Sequence, residues 1–322
     1  MKRLPRLEIA HLPTPVEPLP RLSAELGGPQ LWVKRDDQTG LALGGNKTRK
    51  LEYLAAAAQA EGADHLITAG APQSNHCRQT AAAAARLGLA CTLVLTGAAP
   101  TRPTANTLLY RLLGADLRWV PKQDREAALE SVFEELQAAG SQPYPVPYGG
   151  SSPLGAAAYA YAVEEMLAQT QPDWIVFASS SGGTQAGLIA GAQLFNYPGR
   201  ILGISVDELA ADLKPRIAAL ATQTIELLGE QHTVSPKDVL VNDDYLGAGY
   251  AVMGAAEREA IQLFARLEGL LVDPVYTGRA AAGLIDLIRS DFFAPEAKVL
   301  FWHTGGTPAL FADAYNAELT SA

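Results

Sequence analysis

Apolar residues along this chain switch repeatedly between two spacings. Leu51, Leu54, Ala55 and Ala58 recur at intervals of three and four, which predicts a helix over 48–60 that Gly62 stops. The next stretch, 65–69, is a short apolar run of strand type, and Ser74 is placed to cap a helix through Arg86 that Gly88 ends. The alternation continues to the end. Strands are expected at 31–35, 90–95, 117–120, 174–178, 201–206 and 298–302, with a proline-broken extended piece at 144–148. Helices are expected at 104–113, 125–139, 156–169, 184–195, 210–228, 255–268 and 278–289, with a closing helix from about Pro308. Residues 1–30 are rich in proline and read as an extended arm. Strands alternating with helices predict an α/β fold built on parallel, doubly wound sheets.

Composition narrows the class. With 322 residues, 48% hydrophobic and 18% charged, the chain is long enough for two domains and ordinary for a soluble globular protein. A formal net charge of −9 argues against nucleic acid or an anionic membrane as the main partner. Cys77 and Cys91 are the only cysteines, too few for a disulfide framework or a zinc cluster, so no metal is expected. No apolar stretch approaches the length of about 20 residues that spans a membrane. The opening MKRLPRLEIA lacks a signal-peptide pattern, so a cytoplasmic location is expected.

The candidate chemistry lies at strand-to-helix junctions, where open α/β sheets bind ligands. Gly44 and Gly45 let the backbone turn sharply, Asn46 is placed to cap the helix that follows, and Lys47 falls in its first turn. A cation is disfavoured at a helix N-terminus, and a lysine that sheds its proton is a nucleophile for Schiff-base chemistry. A solvated lysine near a turn is the alternative reading. The loop 69–76 brings Ser74, Asn75 and His76 to the start of a helix, a setting suited to a carboxylate. The loop 179–187 offers Ser181, Gly182, Gly183 and Thr184 as an anion nest with no charged side chain, which fits a monophosphate. A third loop, 301–307, carries His303, read as structural. A Schiff-base lysine, a phosphate nest and an α/β sheet together suggest pyridoxal 5'-phosphate.

Five segments occur in order: Gly44-Gly45-Asn46-Lys47 with Arg49-Lys50-Leu51-Glu52, Gln73-Ser74-Asn75-His76, Ser181-Gly182-Gly183-Thr184, Asp273-Pro274-Val275-Tyr276-Thr277-Gly278 and His303-Thr304-Gly305-Gly306. From about residue 5 to 315 the chain resembles the aminocyclopropane-carboxylate deaminase/D-cysteine desulfhydrase family of fold-type-II pyridoxal-phosphate enzymes. The resemblance implies a tryptophan synthase β-like fold of two doubly wound open-sheet domains with the cofactor in the cleft. Residues 1–44 and 153–322 would form the larger cofactor-binding domain, with 45–152 inserted as the smaller one. Lys47 would carry the cofactor and move the Cα proton. Asn75 would lie near the ring 3-oxygen, Ser74, Asn75 and His76 would hold the substrate carboxylate, and residues 181–184 the phosphate. Tyr250 and Tyr276 would face the substrate, and a homodimer is expected.

Where deaminase members have Glu and Leu, this chain has Thr277 and Thr304, both expected near the pyridine nitrogen, with Thr304 the more direct partner. A hydroxyl cannot hold a pyridinium charge as a carboxylate does. That favours β-elimination over opening of a cyclopropane ring, with D-cysteine giving pyruvate, ammonia and hydrogen sulfide. Sulfite elimination from L-cysteate, deamination of 1-aminocyclopropane-1-carboxylate and a non-catalytic ligand-binding role are the alternatives. A sulfonate would need an extra cation; Arg78, Arg102 and Arg279 are candidates, each read first as a surface or interface residue. Two segments depart from the family pattern, Ala251-Val252-Met253 and Thr104-Ala105-Asn106-Thr107.

Overall fold

A computed structural model of the chain describes residues 1–320. Its strands are β1 (Val16–Pro18), β2 (Gln30–Lys34), β3 (His65–Gly70), β4 (Ala90–Thr96), β5 (Asp116–Val120), β6 (Pro143–Pro145), β7 (Trp174–Ser179), β8 (Arg200–Ser205), β9 (Leu240–Asn242) and β10 (Lys298–Trp302). The helices are α1 (Pro20–Leu26), α2 (Asn46–Ala60), α3 (Asn75–Leu87), α4 (Ala105–Leu112), α5 (Arg125–Ala138), α6 (Pro153–Leu167), α7 (Gly183–Leu194), α8 (Ala210–Leu227), α9 (Ala255–Glu268), α10 (Thr277–Arg289) and α11 (Asp313–Thr320).

Two sheets result. The first runs β1-β2-β10-β7-β8-β9 and is parallel except for β1, which lies antiparallel to β2. The second runs β5-β4-β3-β6 and is parallel throughout. Residues 16–34 and 174–302 supply the strands of the six-stranded sheet, and 65–145 those of the four-stranded one. Strands buried on both faces read as continuous apolar runs, as Trp174–Ser179 does.

Most elements fall where the hydrophobic pattern puts them, and the differences lie at caps and edges. Helix α2 opens at Asn46 and not at 48: Gly45, at φ 126°, is the N-cap, and Asn46 is the first helical residue, so the expected cap is one position late. Helix α6 starts at Pro153 because Ser152 caps it, its Oγ accepting from Gly155 N–H at 3.2 Å. Edge strands β1 and β9 and helix α1 were not expected. Pro15, Pro18 and Pro20 mask the first of them, yet an edge strand tolerates proline and so does the first turn of a helix. The closing helix expected from about Pro308 is a 3-10 turn at Thr307–Phe311 followed by α11.

A buried ionic knot fixes α2 to the six-stranded sheet. Asp36, just past β2, accepts from Arg49 at 2.8 Å, Thr14 Oγ1 at 2.9 Å, Tyr159 OH at 2.5 Å and Trp302 Nε1 at 2.8 Å. Glu165 on α6 pairs with Arg49 at 2.8 Å and with Lys34 at 2.6 Å. Burial alone would raise the Asp36 carboxyl, but Arg49 and Lys34 outweigh it and hold it below its usual value. Losing one partner of such a buried set strands the others, a cost of about 3–5 kcal/mol.

Candidate active site

The cavity at the carboxyl ends of β3 and β7 encloses about 690 Å³, its open mouth included. Lys47, Ser74, Asn75, His76, Ser181, Gly182, Thr184, Tyr276 and Thr304 all line it, so most of the predicted site residues meet in one place. Backbone geometry explains the convergence. The 303–306 loop packs directly on the Gly44-Gly45 turn: a Cβ on Gly305 would lie 2.7 Å from Gly45 Cα, and Asn46 N–H donates to Thr304 O at 3.0 Å. Only glycine permits that approach.

Lys47, in the first turn of α2, donates to Gly149 O at 3.1 Å. Burial lowers its ammonium pKa to about 8. Desolvation, and not the helix dipole expected from the sequence, is thus the leading cause of the shift. Lys50, one turn on, donates to the same carbonyl at 3.2 Å and is depressed well below the usual lysine value, first by burial and then by Lys47. Two amines on one carbonyl oxygen leave donors to spare for an anion. The signal for Lys50 was its i+3 relation to Lys47, which puts both on one face.

Gly182, in the left-handed region, caps α7, and a Cβ on Gly183 would meet Ser151 Oγ at 2.5 Å and Lys50 Nζ at 2.9 Å. Ser151 holds this turn, bonding Ser181 Oγ at 2.7 Å and accepting from Gly183 N–H at 3.2 Å. Asn46 Nδ2 donates to Thr184 Oγ1 at 3.1 Å. An uncharged cradle at a helix N-terminus, backed by a buried amine, suits a phosphate dianion. The residues present therefore fit the cofactor that the sequence implies. Ser151 was not found from sequence, because its role arises only when the segment after β6 folds against α7.

Ser74 caps α3 by accepting from Cys77 N–H at 3.2 Å. Thr68 gives its hydroxyl hydrogen to Val146 O, so His76 must be the donor in the 2.9 Å contact between its Nε2 and Thr68 Oγ1. Burial keeps the imidazole neutral, its pKa well below the usual value. Tyr250 lies behind Tyr276, the two hydroxyls 2.5 Å apart and the rings edge to face. Burial raises both phenols, so both stay protonated.

Two expectations need correction. Thr277 does not border the cavity. Its hydroxyl accepts from Asp273 N–H at 2.8 Å and donates to Asp273 Oδ1 at 2.7 Å, closing the turn that starts α10, so of this pair Thr304 alone lines the cavity. Arg78 and Arg279 are not surface residues: they are 0% and 1% exposed. Arg279 pairs with Glu257 at 2.8 Å and donates to the carbonyls of Val206, Gly249 and Val252, clamping the Tyr250 segment. Of the three, Arg102 alone is exposed, and among the described residues no arginine lines the cavity. Both segments that depart from the family pattern carry a non-glycine residue at positive φ, Ala105 at 50° and Ala251 at 61°. No group of three or more metal-ligating side chains and no helix long and apolar enough to cross a membrane occurs among the described residues.

Comparison with known proteins agrees with this geometry. The model of a family described as pyridoxal-phosphate dependent enzyme matches residues 7–305. D-cysteine desulfhydrases of Salmonella typhi and Salmonella newport are each 44% identical over 97% of this chain and 97% of their own. The solved structure of an ACC deaminase homologue superposes with a TM-score of 0.91 at 38% identity, over 98% of this chain and 96% of that one. An O-ureido-L-serine synthase, 16% identical, shares the fold at a TM-score of 0.70. A lysine-bearing cavity with an uncharged phosphate cradle, matched along nearly its whole length by such relatives, places the chain among the pyridoxal-phosphate-dependent enzymes, in the aminocyclopropane-carboxylate deaminase/D-cysteine desulfhydrase family.

Proposed function

We propose that the enzyme eliminates the Cβ substituent of a small amino acid, with D-cysteine and water giving pyruvate, ammonia and hydrogen sulfide. The observation that carries this reading is the cavity's charge pattern: a neutral Thr304 and, among the described residues, no lining arginine. A neutral hydroxyl gives ring opening little support, and a sulfonate would find no guanidinium in the cavity. The curated relatives named for D-cysteine favour the same substrate.

Pyridoxal phosphate, when bound, supplies an electron sink for charge developing at Cα. Lys47 would hold the cofactor and its free amine would take the Cα proton; its lowered pKa suits it to act as a base near neutral pH. Ser74, Asn75 and the first turn of α3 bind the carboxylate. Residues 181–184, with Ser151 and Lys50 behind them, would hold the phosphate, and Thr304 would be the cavity hydroxyl available to the ring. Tyr276, kept protonated and backed by Tyr250, donates towards the departing sulfur. Residues 1–44 and 153–322 act as the larger domain and 45–152 as the smaller. The enzyme works in the cytoplasm as a homodimer on a free amino acid.

A panel of D-cysteine, β-chloro-D-alanine, L-cysteate and 1-aminocyclopropane-1-carboxylate tests the reading. Pyruvate with stoichiometric sulfide from D-cysteine, little 2-oxobutyrate from the cyclopropane and loss of turnover in Lys47→Ala are expected. Comparable turnover of the cyclopropane would remove the role given to Thr304. Sulfite release from L-cysteate alone would replace the substrate.

A further inference from the structure

Arg78 lies on α3, 0% exposed, one turn beyond the cavity residue Asn75. Its guanidinium reaches three neutral oxygens: Asn75 Oδ1 at 3.0 Å, Asn106 Oδ1 at 3.1 Å and Gly44 O at 2.6 Å. Nε has no acceptor among the described residues. A guanidinium donates and cannot accept, so both amide oxygens must turn towards it. Asn106, its oxygen committed, points Nδ2 at Gln73 O (2.8 Å) and at the same Asn75 Oδ1 (3.0 Å). Gln73 completes the set by accepting from Asn106 N–H at 2.9 Å. Asn75 Oδ1 thus receives two donors, and its amide cannot reverse without facing an N–H of Arg78 with an N–H of its own.

We infer that Arg78, acting through Asn106 and Asn75, is a positioning residue that makes Asn75 a one-way hydrogen-bond donor to an anionic oxygen in the cavity. This rests on the site reading given above. The arrangement also places a buried guanidinium, with neutral oxygens as its hydrogen-bond acceptors and the Asp273 carboxylate as a more distant counter-charge, behind that donor, and a buried cation favours a nearby negative charge. The anionic oxygen has two possible sources, the ring oxygen of the cofactor and the carboxylate of the amino acid. Because Arg78 also holds Gly44 O, the lock sets the Asn75 amide and the turn before Lys47 together.

The test reads binding and not turnover, so it stands apart from the identity of the substrate. Cofactor-free Arg78→Gln, Arg78→Lys, Asn106→Ala and wild-type proteins are titrated with pyridoxal 5'-phosphate and with its 3-deoxy analogue, which lacks the ring oxygen. In a second arm the loaded proteins are titrated, by their visible absorption, with D-alanine and with ethylamine, which lacks the carboxylate. Lysine can only donate and should keep the lock; glutamine can do either and should release it. Arg78→Gln should weaken the native cofactor about tenfold or more and the 3-deoxy analogue by less than about threefold, the scale of one hydrogen bond to a charged group. Asn106→Ala should show the same discrimination to a smaller extent. A loss confined to D-alanine against ethylamine would support the lock and name the substrate carboxylate as the oxygen. Equal losses with and without the oxygen in both arms, or no loss in either, would overturn the inference.

Discussion

At the scale of single residues, the site is organised by which groups are denied water. Lys47 binds its proton up to about pH 10.5 in the unfolded chain but only to about 8 when folded. Between these values the unfolded state holds more protons, so the cofactor-free protein gains stability as pH rises through the window, by at most about 1.4 kcal/mol per unit. Lys50, also depressed by burial, acts in the same direction. Urea midpoints of cofactor-free wild type and Lys47→Met should therefore converge between about pH 8 and about pH 10 as the buried cation discharges. A constant difference would show that Lys47 keeps its ordinary pKa. Lys47 was legible in the sequence because two glycines and a helix start surround it. The difference between Thr277 and Thr304 was not, since both follow the same kind of motif. Only the turn built on Asp273 shows that one hydroxyl is taken up locally.

At the scale of elements, close helix packing positions the phosphate loop. A Cβ on Gly187 would lie 2.1 Å from Ala156 O and 2.5 Å from Tyr159 Cβ, so α6 and α7 touch backbone to backbone. Gly187→Ala must push α7 away. A cost of about 1–3 kcal/mol is expected, as for overpacking elsewhere. Because α7 begins at the phosphate loop, cofactor affinity should fall with stability; denaturant midpoints and a cofactor titration measure both. Wild-type values for the two would mean that α7 has slack. Long periodic helices such as α2, α9 and α10 could be read from spacing alone. The three-residue strands β1 and β9 could not, because an edge strand pairs on one side and needs no continuous apolar run.

At the scale of the molecule, the cavity takes residues from both sheets: Ala69 lies on β3 and Ser74 follows it, Ser179 ends β7 and Thr184 follows it, and Thr304 follows β10. A cofactor held there links the two halves and should stabilise them as one unit. Stripping it with hydroxylamine should lower Tm by about 5 °C or more, and pyridoxal phosphate should restore it. An unchanged Tm would mean that one sheet alone binds it. The fold class was readable from the alternation of strands and helices, and three of the five motifs from their place after β3, β7 and β10; the segments 44–52 and 273–278 follow no strand directly and were tied to the cavity by the family resemblance alone. Arg78, Ser151 and the ionic knot around Asp36 were not, because their partners lie tens of residues away and only packing selects them.

The strand order also says something about how the chain comes to exist. β10, formed by residues 298–302, lies between β2 and β7 in the middle of the six-stranded sheet. A chain leaving the ribosome can pair all four strands of the smaller sheet once residue 145 has emerged, whereas the larger sheet waits with a gap at its centre until residue 302 has emerged. During that wait β2 and β7 each expose an unpaired edge, the state in which strands are most prone to join a neighbouring chain. The larger sheet is therefore most aggregation-prone just before its last strand arrives, and the five residues that close it are also the ones that deliver Thr304 to the cavity.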